Sequence, residues 1–301
     1  MKAPGFVLLD KDAGETSFKA LFPLKRFFKT RRVGHAGTLD LRASGLIIAA
    51  INRATRLLPY VESFDKCYTF KIHFGYETET LEWDSEVIHQ GASVEISEEK
   101  LQDALTHFLG EQKQIPPNYS AIKIDGIRAS DRMQRGKEVT LPPRNIRIDS
   151  LRILKKTEPE ITATGKSYAS FELECKCSKG TYIRSLCRDL GHFLGTYACV
   201  SSIRRLSVGN ISVNDAVKSS LLSEKALLSV DKVLPYPVLK LNDRQLKLIR
   251  EGKNILYSKE LSDIPEDAFV FAANENGDVK CVCKCRTGRI YPKFFIGEDD
   301  D

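Results

Sequence analysis

Apolar residues in several segments of this chain recur with a period of two or form short continuous runs, and both patterns predict β-strands. Residues 5–9 (GFVLL) form a short apolar run, and residues 44–51 (SGLIIAAI) form a longer one typical of a buried strand. Between residues 67 and 75 apolar and polar positions alternate strictly. This alternation predicts a half-buried strand with four side chains on one face: Tyr68, Phe70, Ile72 and Phe74.

Helical periodicity is clearest after Ser97. This residue suits an N-cap, and Glu98 and Glu99 follow it in the first turn, where acidic groups are favourable. The next apolar residues repeat every 3.6 positions until Gly110 ends the pattern: Leu101, Ala104, Leu105, Phe108 and Leu109. Residues 18–29 predict a second helix, which Pro23 interrupts.

In the second half of the chain a strand, a glycine turn and a helix follow one another. Residues 170–177 alternate, Gly180 supplies the turn, and a helix with an apolar stripe ends at Gly195. This order places Tyr182 and Arg184 at the junction between strand and helix. Because strands and helices mix without regular alternation, the pattern favours an α+β fold over a doubly wound parallel sheet.

Two changes in composition divide the chain. Residues 116–147 are rich in Pro, Gly and Arg with weak periodicity, which predicts a long, basic and partly mobile arm without a core of its own. Beyond a helical stretch that ends before Pro235, short strand patterns predict a small β-rich domain at 232–301, closed by an acidic tail. Residues 1–231 are expected to form the larger domain.

Charge is distributed unevenly although the net charge is only +6. Residues 17–58 contain nine Lys/Arg and one acid, Asp40. Residues 120–156 contain ten Lys/Arg and four acids, and residues 176–206 contain six Lys/Arg and one acid. Residues 77–104, by contrast, carry nine acids and a single Lys. Basic segments are often plain solvated surface, but three of them indicate nucleic acid as a partner.

Several function classes are disfavoured by the sequence. No apolar run approaches the ~18 residues of a membrane span, and the N-terminal segment lacks a signal-peptide pattern, so we expect a cytoplasmic protein that does not interact with membranes. The eight cysteines are expected to be free thiols. Cys281, Cys283 and Cys285 alternate along one strand, which indicates buried thiols rather than a zinc site, so no metal is predicted.

The segment GHAGTLD, residues 34–40, places an acid on a predicted loop. Gly34 and Gly37 suit neither a regular helix nor a central strand, so Asp40 is expected outside regular structure. An Asp in a glycine-rich loop more often caps a turn than performs chemistry. Both interpretations stay open on this segment alone.

Seven segments in order resemble motifs of the TruB family of tRNA pseudouridine synthases, from residue 5 to about residue 210. The central one is GHAGTLDLRASGLIIAA at 34–50. The other six are GFVLLDKDAGETS at 5–17, ATRL at 54–57, DKCY at 65–68, QIPPNYSAIK at 114–123, CSKGTYIR at 177–184 and SIRRL at 202–206. Leu41-Arg42 and Asp12 depart from the family pattern, which usually has Pro-Leu and Pro at those places.

The resemblance implies a pseudouridine synthase fold with a mixed, mainly antiparallel central sheet, flanking helices, a basic insertion and a small PUA-like C-terminal domain. It implies isomerisation of uridine 55 in the tRNA T-loop, with the base flipped out of the RNA and the glycosidic bond broken with the help of Asp40. Arg184 would be the ionic partner of Asp40. No cofactor is implied, and tRNA would be the partner of a monomer that needs no other protein.

Five further residues take roles from the same resemblance. Tyr68 would stack on the target base and help to remove its C5 proton. His35 would contact RNA and fill the stack that the uridine has left, while Tyr182 and Ile203 would pack around the flipped base. Lys11 would support the loop or contact phosphate. A tRNA-binding folding chaperone without modification activity, and a synthase directed by a guide RNA, remain as alternative functions.

Overall fold

The computed structural model of this protein describes residues 3–91, 95–159, 167–256 and 264–296. The strands are β1 Gly5–Lys11, β2 Val33–Ala36, β3 Ser44–Ile51, β4 Lys66–Phe74, β5 Tyr76–Thr78, β6 Val87–Gln90, β7 Gly110–Gln114, β8 Lys123–Ile124, β9 Ile127–Arg128, β10 Arg144–Thr157, β11 Ala169–Cys177, β12 Ala198–Val208, β13 Ile211–Ser212, β14 Val238–Lys240, β15 Ile255–Leu256, β16 Phe269–Ala273, β17 Val279–Arg286 and β18 Arg289–Phe295. The α-helices are α1 Phe22–Phe27, α2 Leu58–Glu62, α3 Glu98–His107, α4 Ala129–Met133, α5 Ile183–Phe193 and α6 Asp243–Arg250.

One large sheet organises residues 5 to 212. Its strands follow the order β1-β3-β12-β4-β11-β10-β7, with β2 added beside β3 and β13 beside β12. Neighbouring strands are antiparallel except β12 and β3, which run parallel. The sheet is therefore mixed and mainly antiparallel, and the α+β prediction is confirmed.

Apolar residues cover both faces of this sheet, which explains the uninterrupted hydrophobic run of β3. Ile47, Ala49 and Ile51 face the core beneath α1, α3 and α5. The residues between them face the opposite core, which includes α2: Leu46, Ile48 and Ala50. A strand that is buried on both faces shows no polar alternation.

A second sheet follows β13 in the chain and packs against the first. Its strand order is β14-β16-β17-β18-β15. Phe271 and Val282 of this sheet share one buried cluster with Phe6 and Leu8 of β1. Tyr60 of α2 contacts Phe269 edge to face at 4.9 Å between ring centroids, so the two sheets are joined by a continuous apolar interface. The curled second sheet is consistent with a PUA-like fold.

The basic arm has more structure than the sequence predicts. It contains the β8–β9 hairpin and α4, and it packs a small core of Ala129, Val139 and Leu141. Its end, from Arg144, is already part of the long strand β10. The prediction of an arm without a core was wrong because three widely spaced apolar residues produce no recognisable period.

Three local predictions can be compared with the structure in detail. Gly34 lies within β2, an edge strand, where a glycine is tolerated. The helical stretch before Pro235 consists of short 3-10 turns at Ser219–Leu221, Glu224–Ala226 and Val230–Lys232. The helix at 18–29 is divided into a 3-10 turn at Lys19–Leu21 and α1, which starts beside Pro23. The acidic tail lies outside the described residues.

The expectations for cysteines and helices agree with the described part of the chain. All eight cysteines are free, and Cys281, Cys283 and Cys285 are buried in the second sheet. No helix among the described residues is long and apolar enough to cross a membrane.

Gly45 is predicted to tolerate no side chain. Its φ is +102°, and a Cβ there would lie 2.3 Å from the backbone oxygen of Arg205. We expect Gly45→Ala to lower the free energy of unfolding by about 3 kcal/mol or more, because a backbone clash adds to the unfavourable φ. Urea denaturation would measure this loss.

Gly14→Ala is the matched control, since Gly14 also has a positive φ (+89°) but its Cβ would meet no atom within 4 Å. It should cost only about 1 kcal/mol. Equal losses in the two variants would contradict the clash at Gly45.

Candidate active site

A cleft of about 660 Å³ opens at the point where β12, β4 and the loop after β2 meet. Asp40, Tyr68, Tyr182, Arg184 and Ile203 all line it. These residues are separated by up to 163 positions in sequence, yet the fold brings them to one cavity. His35 and Lys11 do not line it.

Buried polar side chains hold the backbone of the loop that carries Asp40. Ser17 Oγ donates to the carbonyl of Leu39 at 2.9 Å and accepts from the backbone N–H of the same residue at 2.9 Å. Lys11 is only 1% exposed, and its ammonium donates to the carbonyl of Ala43 at 2.6 Å. These contacts fix the loop backbone on both sides of Asp40, so its carboxylate is presented from a rigid support.

Arg184 pairs with Asp40 through two nitrogens. Its Nη2 donates to Asp40 Oδ1 at 2.9 Å, and its Nε lies 2.9 Å from Oδ2. The arginine side chain is 5% exposed and the aspartate side chain 40%. This ion pair and its one hydrogen bond hold the carboxylate against the guanidinium, while the exposed part of Asp40 faces the cleft.

Other elements orient Arg184 in turn. Its Nη1 donates to the carbonyl of Thr80 at 3.1 Å, and Nη2 also donates to that of Tyr119 at 2.9 Å. Tyr119 belongs to the basic arm and Thr80 to the segment after β5. The guanidinium therefore connects the Asp40 loop, the arm and α5 at one point.

Tyr182 precedes α5 and is anchored by a side chain of β7. Gln114 accepts from the backbone N–H of Tyr182 at 2.8 Å and donates to its carbonyl at 3.1 Å. Ile203 of β12 lies across the sheet from Phe70 of β4. Tyr182 and Ile203 supply apolar wall to the cleft, as a site for a flat base requires.

Tyr68 projects from β4 into the same cleft. Burial raises the pKa of its phenol, and the nearby guanidinium of Arg205 lowers that pKa in part. The Tyr68 hydroxyl is therefore protonated at neutral pH while a positive charge lies next to it.

His35 and Lys11 are positioned by other contacts, outside the lining of the cleft. His35 is on β2, opposite Ala49 of β3, and burial together with the charge of Arg205 lowers the pKa of its imidazole. The three hydrogen-bond acceptors of the Lys11 ammonium are backbone carbonyls: Asp12, Leu41 and Ala43. Of the two roles expected for Lys11, support of the loop is compatible with this burial and direct contact with phosphate is not.

Sequence reasoning missed three ionisable residues at this site. Glu82 lies near the Asp40–Arg184 pair, and its carboxyl pKa is raised by burial, while Arg184 counteracts the rise. Lys66 lines the cleft, and burial together with Arg205 lowers the pKa of its amine to about 8. Arg205 is 1% exposed. Lys66 and Arg205 lie inside recognised motifs, which was the available signal; Glu82 lies in none.

The cleft can bind a planar base and bring a fixed carboxylate and a phenol to it. Lys123, Arg144 and Lys179 also line it and provide positive charge for phosphates. Within the described residues, no group of three or more His, Cys, Asp or Glu side chains is arranged to hold a metal ion.

Comparison with known proteins agrees with this geometry. Residues 25–183, more than half of the chain, match the TruB family pseudouridylate synthase N-terminal domain, and residues 184–235 match the tRNA pseudouridylate synthase B C-terminal domain. The chain is 37% identical over 251 residues to tRNA pseudouridine synthase B of Borrelia garinii subsp. bavariensis, covering 82% of this chain and 85% of the relative. It is 36% identical to that of Corynebacterium efficiens, covering 83% of each.

Solved structures share the fold at lower identity. A chain of an H/ACA ribonucleoprotein bound to a substrate RNA containing 2'-deoxyuridine superimposes with a TM-score of 0.68 at 18% identity, covering 98% of this chain and 86% of that one. A chain of a Cbf5-Nop10-Gar1 complex gives 0.67 at 19%, with the same coverage. The family matches and the relatives together establish that this chain belongs to the TruB family of pseudouridylate synthases.

Proposed function

We propose that this protein isomerises uridine to pseudouridine at position 55 in the T-loop of tRNA. The observation that carries the proposal is the Asp40–Arg184 pair, with contacts of 2.9 Å, in the cleft of a chain from this family. An ionised and oriented carboxylate in a base-sized cleft is what glycosidic isomerisation requires. The intact pair favours an enzyme over a chaperone that only binds tRNA.

The reaction breaks the N1–C1′ bond, rotates the base and joins C5 to C1′. The proton lost from C5 is balanced by one gained at N1, so no oxidant or cofactor enters. Asp40 acts at the ribose C1′ or at the base, or stabilises the detached base; each role needs an ionised carboxylate, which Arg184 holds in place. Tyr68 accepts the C5 proton while its own hydroxyl proton leaves to water.

The remaining residues would bind the RNA and shape the site. Tyr182 and Ile203 pack on the flipped uracil, and His35 contacts the RNA beside the position that the uridine leaves. Lys11 acts by holding the Asp40 loop. Residues 1–231 would form the catalytic domain, the basic arm at 116–147 would grip tRNA, and residues 232–301 would form the PUA-like domain. We further propose that the protein works in the cytoplasm as a monomer without another protein.

A chemical mapping experiment tests the function and its position together. Unmodified tRNA is incubated with the protein, pseudouridine is labelled with a carbodiimide, and reverse transcription locates each adduct. We expect a single new stop at position 55, and none when that uridine is replaced by cytidine. Adducts elsewhere with none at position 55 would contradict the proposed site.

The cations that line the cleft should contribute mainly to the salt dependence of binding. Replacing Arg144 and Lys179 by Gln should weaken tRNA binding and reduce the slope of log Kd against log salt by about one per cation. Filter binding at several salt concentrations measures both quantities. Lys100→Gln is the matched control, since Lys100 is an exposed cation in the acidic segment. An equal change in Kd and salt slope in Lys100→Gln would contradict a specific role of Arg144 and Lys179.

A further inference from the structure

Arg205 is a fully buried guanidinium next to the active site. It is 1% exposed, and none of the described residues forms an ion pair with it. Burying an arginine without a carboxylate partner is costly, and an aliphatic side chain could occupy such a space with less loss of stability. Retention of a charged group there therefore needs an explanation beyond packing.

The guanidinium contacts the catalytic loop where the loop begins. Nη2 donates to the carbonyl of Gly37 at 3.0 Å, and Nε donates to the carbonyl of Leu46 at 2.7 Å. These two carbonyls lie on opposite sides of Asp40 in the chain. One planar group thus holds both the segment that enters the loop and the strand that leaves it.

The residues at the two ends of the loop, Gly37 and Gly45, are glycines, and each leaves space for Arg205. Gly37 has a φ of +68°, and a Cβ there would lie 3.2 Å from Arg205 Nη1. Gly45, at the other end, pairs with Arg205 across the parallel strands β3 and β12 and has no room for a Cβ against the Arg205 backbone. The loop from Gly37 to Gly45 therefore contacts Arg205 at both of its ends.

The same residue faces the second proposed catalytic group. Arg205 of β12 and Tyr68 of β4 are direct partners in the antiparallel register, and directly opposed residues have adjacent side chains. The charge of Arg205 lowers the pKa of the Tyr68 phenol against the effect of burial; Cys177 and Asp40, which also face it, raise it. Arg205 consequently favours transfer of the hydroxyl proton.

We propose that Arg205 is a positioning residue that couples the two catalytic groups, since its single guanidinium anchors the Asp40 loop and orients the Tyr68 hydroxyl for removal of the C5 proton. The inference rests on the proposed isomerase function and adds a residue to it. It predicts two separable effects. Replacement of Arg205 slows C5 deprotonation, and the size of this decrease in rate depends on the Tyr68 hydroxyl.

The test compares Arg205→Met and Arg205→Lys in single-turnover isomerisation of tRNA carrying ordinary or C5-deuterated uridine. We expect turnover to fall about 10²-fold or more in Arg205→Met and about tenfold in Arg205→Lys, with tRNA binding within a few-fold of wild type. A primary isotope effect larger than that of wild type should appear in both. If Arg205→Met does not fold, Arg205→Lys, which keeps the charge, carries the test.

Arg204→Met is the matched control. Arg204 is the preceding residue on the same strand, and its guanidinium pairs instead with Asp10 at 2.9 Å. Its turnover should remain within about twofold of wild type, as for an ordinary partly exposed ion pair.

A double-mutant cycle with Tyr68→Phe separates the two contacts of Arg205. If Arg205 acts through the phenol, Arg205→Lys should cost little further turnover in the Tyr68→Phe background. Additive losses without an isotope effect, or unchanged turnover in Arg205→Lys, would overturn the coupling. Absence of isomerisation by the wild-type protein would instead reject the proposed function.

Discussion

Asp40→Asn is expected to abolish pseudouridine formation while leaving tRNA affinity within a few-fold of wild type. The substitution keeps the shape of the side chain and an oxygen for Arg184 Nη2, but it removes the charge that reacts or stabilises the intermediate. The loss should reach at least the upper end of the roughly 10²–10⁴-fold range typical of a general acid or base. Single-turnover assays and filter binding on the same preparation measure both quantities.

The control for this variant is a chemically identical change outside the cleft. Asp267 forms an ion pair with Arg286 in the second sheet, so Asp267→Asn also removes a carboxylate that faces a guanidinium. Its turnover should be unchanged. Loss of tRNA binding in Asp40→Asn equal to its loss of turnover would show that Asp40 serves the site structurally rather than chemically.

Tyr68→Phe is expected to reduce turnover by about 10²–10⁴-fold, because the ring is retained while the hydroxyl that we propose accepts the C5 proton is lost. Binding should change far less, since stacking on the base depends on the ring. If the phenol acts after the new C–C bond has formed, as proposed, the variant should still consume uridine and accumulate a species that has not yet lost its C5 proton. Quenched-flow sampling with nuclease digestion and chromatography would detect it.

Tyr236→Phe provides the comparison for that change. Tyr236 is another partly buried phenol, whose pKa burial raises to about 12, and it lies in the contact between the two sheets. It should retain full turnover. Unchanged turnover in Tyr68→Phe would assign Tyr68 to stacking or packing alone.

The sequence predicted those parts of the fold whose patterns are simple. The strands β1, β3, β4 and β11 and the helices α3 and α5 lie where periodicity placed them. The central strand β12 was missed because Arg204 and Arg205 interrupt its apolar pattern. Periodicity cannot distinguish a buried charge that serves the site from a loop charge on the surface.

The candidate site was predicted by resemblance, and tertiary structure added what resemblance did not supply. Asp40 and Arg184 were expected to meet and do meet, 144 residues apart in sequence. His35 and Lys11 do not line the cleft; Lys11 instead contacts loop carbonyls, in agreement with the first of its two expected roles, support of the loop. The arrangement of Arg205 between two glycines depends on strand register, which no local pattern reveals.

Release of tritium from tRNA labelled at uridine C5 would test the central claim most directly, because pseudouridine formation must replace the C5–H bond by a C–C bond. We expect the wild-type protein to release the label of one uridine per tRNA, with no release from Asp40→Asn or from tRNA that has cytidine at position 55. Tight binding of labelled tRNA by the wild-type protein without any release would contradict the isomerase account.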